Sequence, residues 1–166
     1  MKAADLMTHD PVTLDAAASI GDALALVSEH GVRHVPVLQN GALIGVLSDR
    51  DLRRIEGMLA VDALDSPRVE ARLALPVTSI LQGTPVTVGA AASLATIIDR
   101  MLEEHVGAVV VIGAIDEVLG IVSYVDVLRI ARELVERDTP TSRSGAPVSP
   151  KRPSRPPSKP PPPRTR

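Results

Sequence analysis

One pattern of roughly 45 residues occurs twice in this chain, and a chain built of two equivalent units has few ways to fold. The first copy opens at Pro11-Val12-Thr13 and closes at Gly45-Val46-Leu47-Ser48-Asp49-Arg50-Asp51. The second opens at Pro85-Val86-Thr87 and closes at Gly120-Ile121-Val122-Ser123-Tyr124-Val125-Asp126. The offset is 74 residues up to the middle turn and 75 beyond it, and 16 of 41 aligned positions are identical. Two such units can pack about a pseudo-twofold axis, with a cleft between them that holds two related sites.

Hydrophobic period and turn residues give each copy the order strand, helix, strand, strand, helix. In copy one, Val12 to Leu14 reads as a short strand. Ser19 with Asp22 starts a helix, which carries Ile20, Ala23, Leu24 and Val27 at helical spacing and ends at Gly31. Val35 to Leu38 is a strand; Pro36 in it has no N–H, which predicts an edge or an interrupted pairing. Asn40-Gly41 is a hairpin turn, Leu43 to Leu47 returns, and Ser48 opens a helix to about Ile55. Copy two repeats this with strands at Val86–Val88, Ala108–Ile112 and Val118–Val122. Its helices run from Ser93 to Glu104 and from about Tyr124 to Arg137. Ala4–Met7 and Thr78–Leu81 form matching lead-ins. Between the copies, Leu59–Leu64 reads as a helical turn that Asp65-Ser66-Pro67 breaks.

The core must be aliphatic, because the chain has no Phe, no Trp and one Tyr, although 45 % of it is apolar. With no cysteine, disulfides, thiol nucleophiles and Cys-based metal sites are excluded. No apolar signal core stands at the N-terminus, and the longest apolar run is far short of the ~20 residues a spanning helix needs. A cytoplasmic protein without a membrane span is expected. From Thr139 onward there are seven Lys/Arg, no Asp/Glu and ten of the fifteen prolines. The rest has eleven basic and twenty acidic residues. An acidic body thus carries a basic tail, and that tail lacks the apolar residues needed to order it.

The chemistry concentrates where Gly, two apolar residues, Ser, two further residues and Asp fall at a strand-to-helix junction, twice. Two readings are open. Ser48 with Asp51, and Ser123 with Asp126, can be capping boxes, like Ser19 with Asp22. The same geometry can bind a ligand: free N–H groups and the helix dipole favour phosphate, and a carboxylate one turn in can accept ribose hydroxyls. Arg50 can neutralise a phosphate group; its counterpart Val125 cannot. His30 and His34 stand four apart, but Gly31 breaks any helix between them, so no metal site is expected. His34 reads instead as a cleft-lining strand residue. Neither a nucleophile elbow nor a phosphate-binding loop of the Walker type is present, so no enzyme is expected.

In combination, Pro-Val-Thr at the start of each copy, His34-Val35-Pro36-Val37, and the two Gly-to-Asp motifs resemble tandem CBS domains, the regulatory modules named after cystathionine β-synthase. The resemblance covers residues 1–137. It implies an α/β fold of the α+β type: two tandem β-α-β-β-α units packed by pseudo-twofold symmetry, plus a disordered C-terminal tail. The units would span 1–58 and 77–137, with a linker at 59–76 and the tail from 138. It also implies an adenosine-containing regulatory ligand (AMP, ADP, ATP, NAD or S-adenosylmethionine), with no required cofactor.

By the same resemblance, Asp51 and Asp126 would hold ribose, and Ser48 and Ser123 phosphate. Val12, Thr13, Val35 and Pro36 would flank adenine in one cleft, and Val86, Thr87, Val109 and Val110 in the other. The mismatches Arg50/Val125 and Pro36/Val110 predict one competent site beside a weaker or differently tuned one. A homodimer is expected, formed through the remaining apolar helix faces, with an energy-sensing output to an unknown effector protein in trans. Two rival readings stay open. One is a structural dimerisation module with degenerate clefts. The other is a factor bound to nucleic acid or another anionic partner through the basic tail; without aromatic residues to stack bases, such binding would be weak and salt-sensitive.

Overall fold

The computed structural model describes residues 1–62 and 64–138. The basic, proline-rich tail expected to be disordered lies outside the described residues. In chain order the elements are α1 (Ala3–Leu6), β1 (Thr8–His9), β2 (Leu14–Asp15), α2 (Ile20–His30), β3 (His34–Gln39), β4 (Ala42–Ser48) and α3 (Asp49–Val61). They continue with α4 (Ser66–Leu73), a 3-10 turn (Val77–Ser79), β5 (Thr87–Gly89), α5 (Leu94–Glu103), β6 (Ala108–Ile112), β7 (Val118–Ser123) and α6 (Tyr124–Asp138).

Local chemistry accounts for most boundaries. Ser19 accepts from the Asp22 N–H at 3.1 Å, and Asp22 returns a bond from the Ser19 N–H at 2.9 Å, which closes a capping box on α2. Gly31 ends α2 at φ +63°, in the left-handed region that glycine enters without steric cost. Asn40 and Gly41, at φ +51° and +82°, make the tight turn between β3 and β4. Asp65 caps α4 and Pro67 sits in its first turn, so Asp65-Ser66-Pro67 starts a helix as well as ending the previous one. The sequence expectation of one helical turn over Leu59–Leu64, broken at Asp65-Ser66-Pro67, is corrected here. The α3 helix runs on to Val61, and α4 follows it, tied back by an Arg72–Asp62 ion pair.

Each copy forms its own sheet. The first has order β2-β3-β4 and the second β1-β7-β6-β5. In both, the first strand of the copy pairs in parallel with the second, and the second pairs antiparallel with the third. Pro36 lies on a central strand, not an edge, and its effect is interrupted pairing. The Val110 N–H donates to the Val86 carbonyl at 3.0 Å, whereas Pro36 has no N–H to offer Val12. The β2–β3 pairing is therefore two residues long, and the β5–β6 pairing three.

The two lead-ins change places. The Ala3 N–H donates to the Ala92 carbonyl of copy two at 2.8 Å, and the Val77 N–H donates to the Ala18 carbonyl of copy one at 2.8 Å. Ala3 is buried in the second core with Val86, Ile97 and Val109; Val77 and Ile80 are buried in the first with Ile20, Val35 and Leu52. Strand β1 adds to the second sheet, pairing Thr8 with Ile121 and His9 with Gly120, so that sheet has four strands where three were expected.

This exchange explains the repeated glycines. A Cβ on Gly45 would stand 2.8 Å from Leu81 Cδ1, and one on Gly120 would stand 2.8 Å from Met7 Cβ. Both contacts are closer than carbon atoms tolerate. The glycine of each Gly-to-Asp motif receives the lead-in of the other copy.

Candidate functional site

Strand β4 runs into α3 at Ser48, and β7 runs into α6 at Ser123, so each junction is fixed by a sheet on one side and a helix on the other. Ser48 Oγ donates to Asp51 Oδ2 at 2.5 Å, and the Ser48 N–H donates to the same oxygen at 3.0 Å. Ser123 does the same to Asp126, at 2.7 and 2.9 Å. The capping box is complete in copy one, where Ser48 Oγ also accepts from the Asp51 N–H at 3.3 Å, and in copy two the Asp126 carboxylate holds Ser123 in the same way. Capping does not compete with the ligand reading, because the cap holds one carboxylate oxygen and sets the direction of the other. Asp51 Oδ1 lies 3.9 Å from Arg54, and Asp126 Oδ1 accepts from Arg129 at 3.1 Å.

Two clefts receive these groups, and each is built from both copies. The larger, about 630 Å³, is lined by Ser48, Arg50 and Asp51 of copy one against Thr84, Pro85, Val86 and Ala108 of copy two. The smaller, about 430 Å³, sets Ser123, Asp126 and Arg129 of copy two against Pro11, Val12 and Val32 of copy one. Both volumes suit a small-molecule ligand. The Ser–Asp pair of each copy thus faces the Pro-Val segment of the other. Arg50 and Pro36, grouped by sequence position into one site, are separated: Arg50 lines the first cleft, and Pro36 is buried in the sheet.

Of the fourteen expected residues, Ser48, Arg50, Asp51 and Val86 line the first cleft, Val12, Ser123 and Asp126 line the second, and His34 lines both. Thr13, Val35, Pro36, Thr87, Val109 and Val110 line neither. Val35 and Val109 point into the two cores, where each is 0 % exposed. Strand alternation explains this: neighbours on one strand face opposite sides of the sheet.

Several cleft residues carry no obvious mark in the sequence. Arg129 supplies the second cleft with a cation, so the change from Arg50 to Val125 does not leave that cleft uncharged. A signal for it existed, because Arg54 and Arg129 are one of the identities between copies. Arg33, His34 and Tyr124 form a wall common to both clefts. They sit where the copies disagree, opposite Gly107, Ala108 and Asp49 in the alignment. Arg33 Nη1 donates to the Tyr124 hydroxyl at 2.7 Å across the two copies. Gly107 leaves the room His34 occupies, since a Cβ there would be 2.9 Å from Nε2. Burial holds the His34 imidazole below the ordinary histidine pKa, against the opposing pull of Asp49 and Asp51; Arg33 adds to the lowering.

His105 lines the first cleft at φ +54°, where copy one has Gly31. Among the described residues, no three His, Cys, Asp or Glu side chains gather as a metal would require. No helix among them is long and apolar enough to cross a membrane.

Comparison with known proteins agrees with this geometry. The model of the CBS domain family matches twice, over residues 3–57 and 77–133. A CBS domain-containing protein of Dictyostelium discoideum is 25 % identical over 138 residues, which is 82 % of this chain and 95 % of that protein. Among solved structures, AcuB of Vibrio cholerae is 26 % identical with a TM-score of 0.64, covering 82 % of this chain and 93 % of that one. CBSX2, solved in complex with AMP, is 25 % identical with a TM-score of 0.64, covering 81 % and 98 %.

Proposed function

We propose, from the premise that the chain belongs to the CBS domain family, that its two clefts bind adenosine-containing ligands and report their occupancy to an effector protein in trans. CBS domains are a regulatory, non-catalytic fold, and the ligand acts here by shifting the balance between orientations of the two halves. The single observation that carries the reading is the pairing of unlike parts. Each cleft sets a capped carboxylate, a helix amino end and an arginine against the Pro-Val segment of the opposite copy. Asp51 and Asp126 accept the ribose hydroxyls with the oxygen that the cap leaves outward. Ser48 and Ser123, with the helix N–H groups and Arg50 or Arg129, hold phosphate.

A ligand between the copies touches both, so it favours one relative orientation of the sheets. Aliphatic side chains flank the base in this reading. At Val12, whose carbonyl receives nothing from Pro36, an exocyclic amino group of the base finds an acceptor. The likeness to CBSX2, solved with AMP, makes AMP the first ligand to try. Exposed Leu128 and Leu134 on α6, and Met58 and Val61 on α3, leave apolar faces through which two chains pair as a homodimer.

A thermal-shift screen of AMP, ADP, ATP, NAD and S-adenosylmethionine tests the reading. The expected result is stabilisation by at least one of them, reduced in Asp51→Ala and in Asp126→Ala and abolished in the double variant. At a ligand concentration of 100 Kd the gain is about 2.7 kcal/mol. A stabilising nucleotide indifferent to both substitutions would sink the site assignment. No shift and no calorimetric heat with any of the five would favour the purely structural dimerisation module.

A further inference from the structure

We propose that Arg33 is one cation shared by two clefts, so that anionic ligands in both compete for it and bind with negative coupling. The inference rests on the adenosine reading above and adds a regulatory relation between its two sites.

The wall between the clefts is one layer of side chains, since Arg33, His34 and Tyr124 line both. Its backbone is held on each side by matching bonds. The Asp49 N–H donates to the Arg33 carbonyl at 2.8 Å, and the Tyr124 N–H donates to the Gly107 carbonyl at 2.9 Å. His34 is wedged against Gly107 with no spare space. The groups free to move are the Arg33 guanidinium and the phenol it touches, both of which are exposed.

Arg33 shares with Arg50 the lack of an ion pair among the described residues, but Arg50 lines the first cleft and Arg33 lines both. Arg53, Arg54, Arg72 and Arg129 are held, each facing a carboxylate. The Arg33 hydrogen bond goes to the neutral Tyr124 hydroxyl at 2.7 Å. A charge anchored only by a phenol is drawn readily to a phosphate in either cleft. It can swing to one side at a time. The second anion then arrives at a cleft left with only its own arginine, Arg50 or Arg129. Its charge also adds repulsion across a thin wall, and the two contributions can be told apart. Without Arg33, sharing disappears, whereas direct repulsion persists and loses its screening.

The test is calorimetric titration of the full chain with AMP. Asp51→Ala disables the first cleft and Asp126→Ala the second, each with Arg33 present and in an Arg33→Ala background. In the wild-type chain the second AMP should bind about fivefold or more weakly than it does to the same cleft in the single-cleft variant. In the Arg33→Ala background that ratio should fall to about half of its wild-type value or less, the remainder being direct repulsion. A second readout uses the only tyrosine in the chain. With 3-fluorotyrosine incorporated, its single ¹⁹F resonance should move when AMP fills either cleft alone.

Stepwise constants equal to the single-cleft values after statistical correction would overturn the sharing while leaving the adenosine reading in place. So would coupling that survives Arg33→Ala undiminished, or a resonance that answers to one cleft only. Absence of AMP binding in every protein would overturn the AMP reading, and the sharing with it.

Discussion

Replacing Gly45 by alanine probes the exchange of lead-ins on which both clefts depend. The new Cβ would stand 2.8, 3.2 and 3.4 Å from Leu81 Cδ1, Cδ2 and Cγ. Carbon atoms pack best at about 3.5–4.0 Å, so the methyl group falls short by about 1 Å at its closest contact. Overpacking of this kind costs about 1–3 kcal/mol. Gly45 has no positive φ, so alanine also restricts the unfolded chain and returns about 0.4–1 kcal/mol. The net loss should be about 0–2.5 kcal/mol, the difference of those two ranges.

Leu81→Ala alone should cost about 1–2 kcal/mol, below the range for a fully buried leucine because the side chain is half-buried. All three close atoms belong to the Leu81 side chain beyond Cβ, so Leu81→Ala removes the clash entirely. Combining the two should leave the protein no less stable than Leu81→Ala alone, an interaction energy of about 1–3 kcal/mol. The entropic effect of alanine at position 45 appears in both arms of this cycle and cancels. Urea denaturation at one fixed protein concentration reads it, provided the slope m is unchanged. Additivity within about 0.5 kcal/mol would refute the packing of a copy-two lead-in on the copy-one sheet.

Gly120→Ala should cost more than Gly45→Ala, about 2–3 kcal/mol, because its methyl group meets Met7 at Cβ, which moves only with the backbone. The same urea titration checks this, and a smaller loss than at Gly45 would count against it. His105→Gly should stabilise by about 0.5–1 kcal/mol by relieving a left-handed residue at a helix end, seen as a rise of roughly 2–4 °C in Tm. The lowered pKa of His34 sets a pH dependence. Below the ordinary value of 6.5 the unfolded chain takes up a proton that the folded chain refuses. This part of the stability is complete above that pH and falls away as the pH drops toward the folded pKa. His34→Gln should flatten the slope of stability below pH 6.5, and a slope unchanged by that substitution would place its origin elsewhere. Truncation after Asp138 should leave AMP binding intact and abolish any salt-sensitive retention of nucleic acid in a mobility-shift assay; unchanged retention would clear the tail of that role.

How far the sequence reaches depends on the range of the interaction. Ser19, Gly31, Asn40-Gly41, Ser48 and Ser123 act within a few residues of themselves, so caps, turns and most strands could be placed from the chain alone. Asp65-Ser66-Pro67 is ambiguous at the same short range: an acidic residue, serine and proline in series mark a helix start as readily as a break.

By itself the sequence determined that there are two like units, that each has the β-α-β-β-α order, and that Ser48, Asp51, Ser123 and Asp126 stand at helix starts. Only the tertiary structure decided which copy each part serves. Ala3 in the second core, Val77 in the first, and Ser48 facing Val86 instead of Val12 are long-range choices. The physical reason is the symmetry of the repeat. A lead-in that packs on its own copy and one that packs on the other meet the same kinds of residue, because both copies present the same glycine, the same alanine run and the same buried valines. The sequence pattern is identical in the two cases, and connectivity and packing in three dimensions select between them. The same holds for the wall of Arg33, His34 and Tyr124. In the alignment these were three unrelated mismatches; folding about the axis brought them together between the clefts.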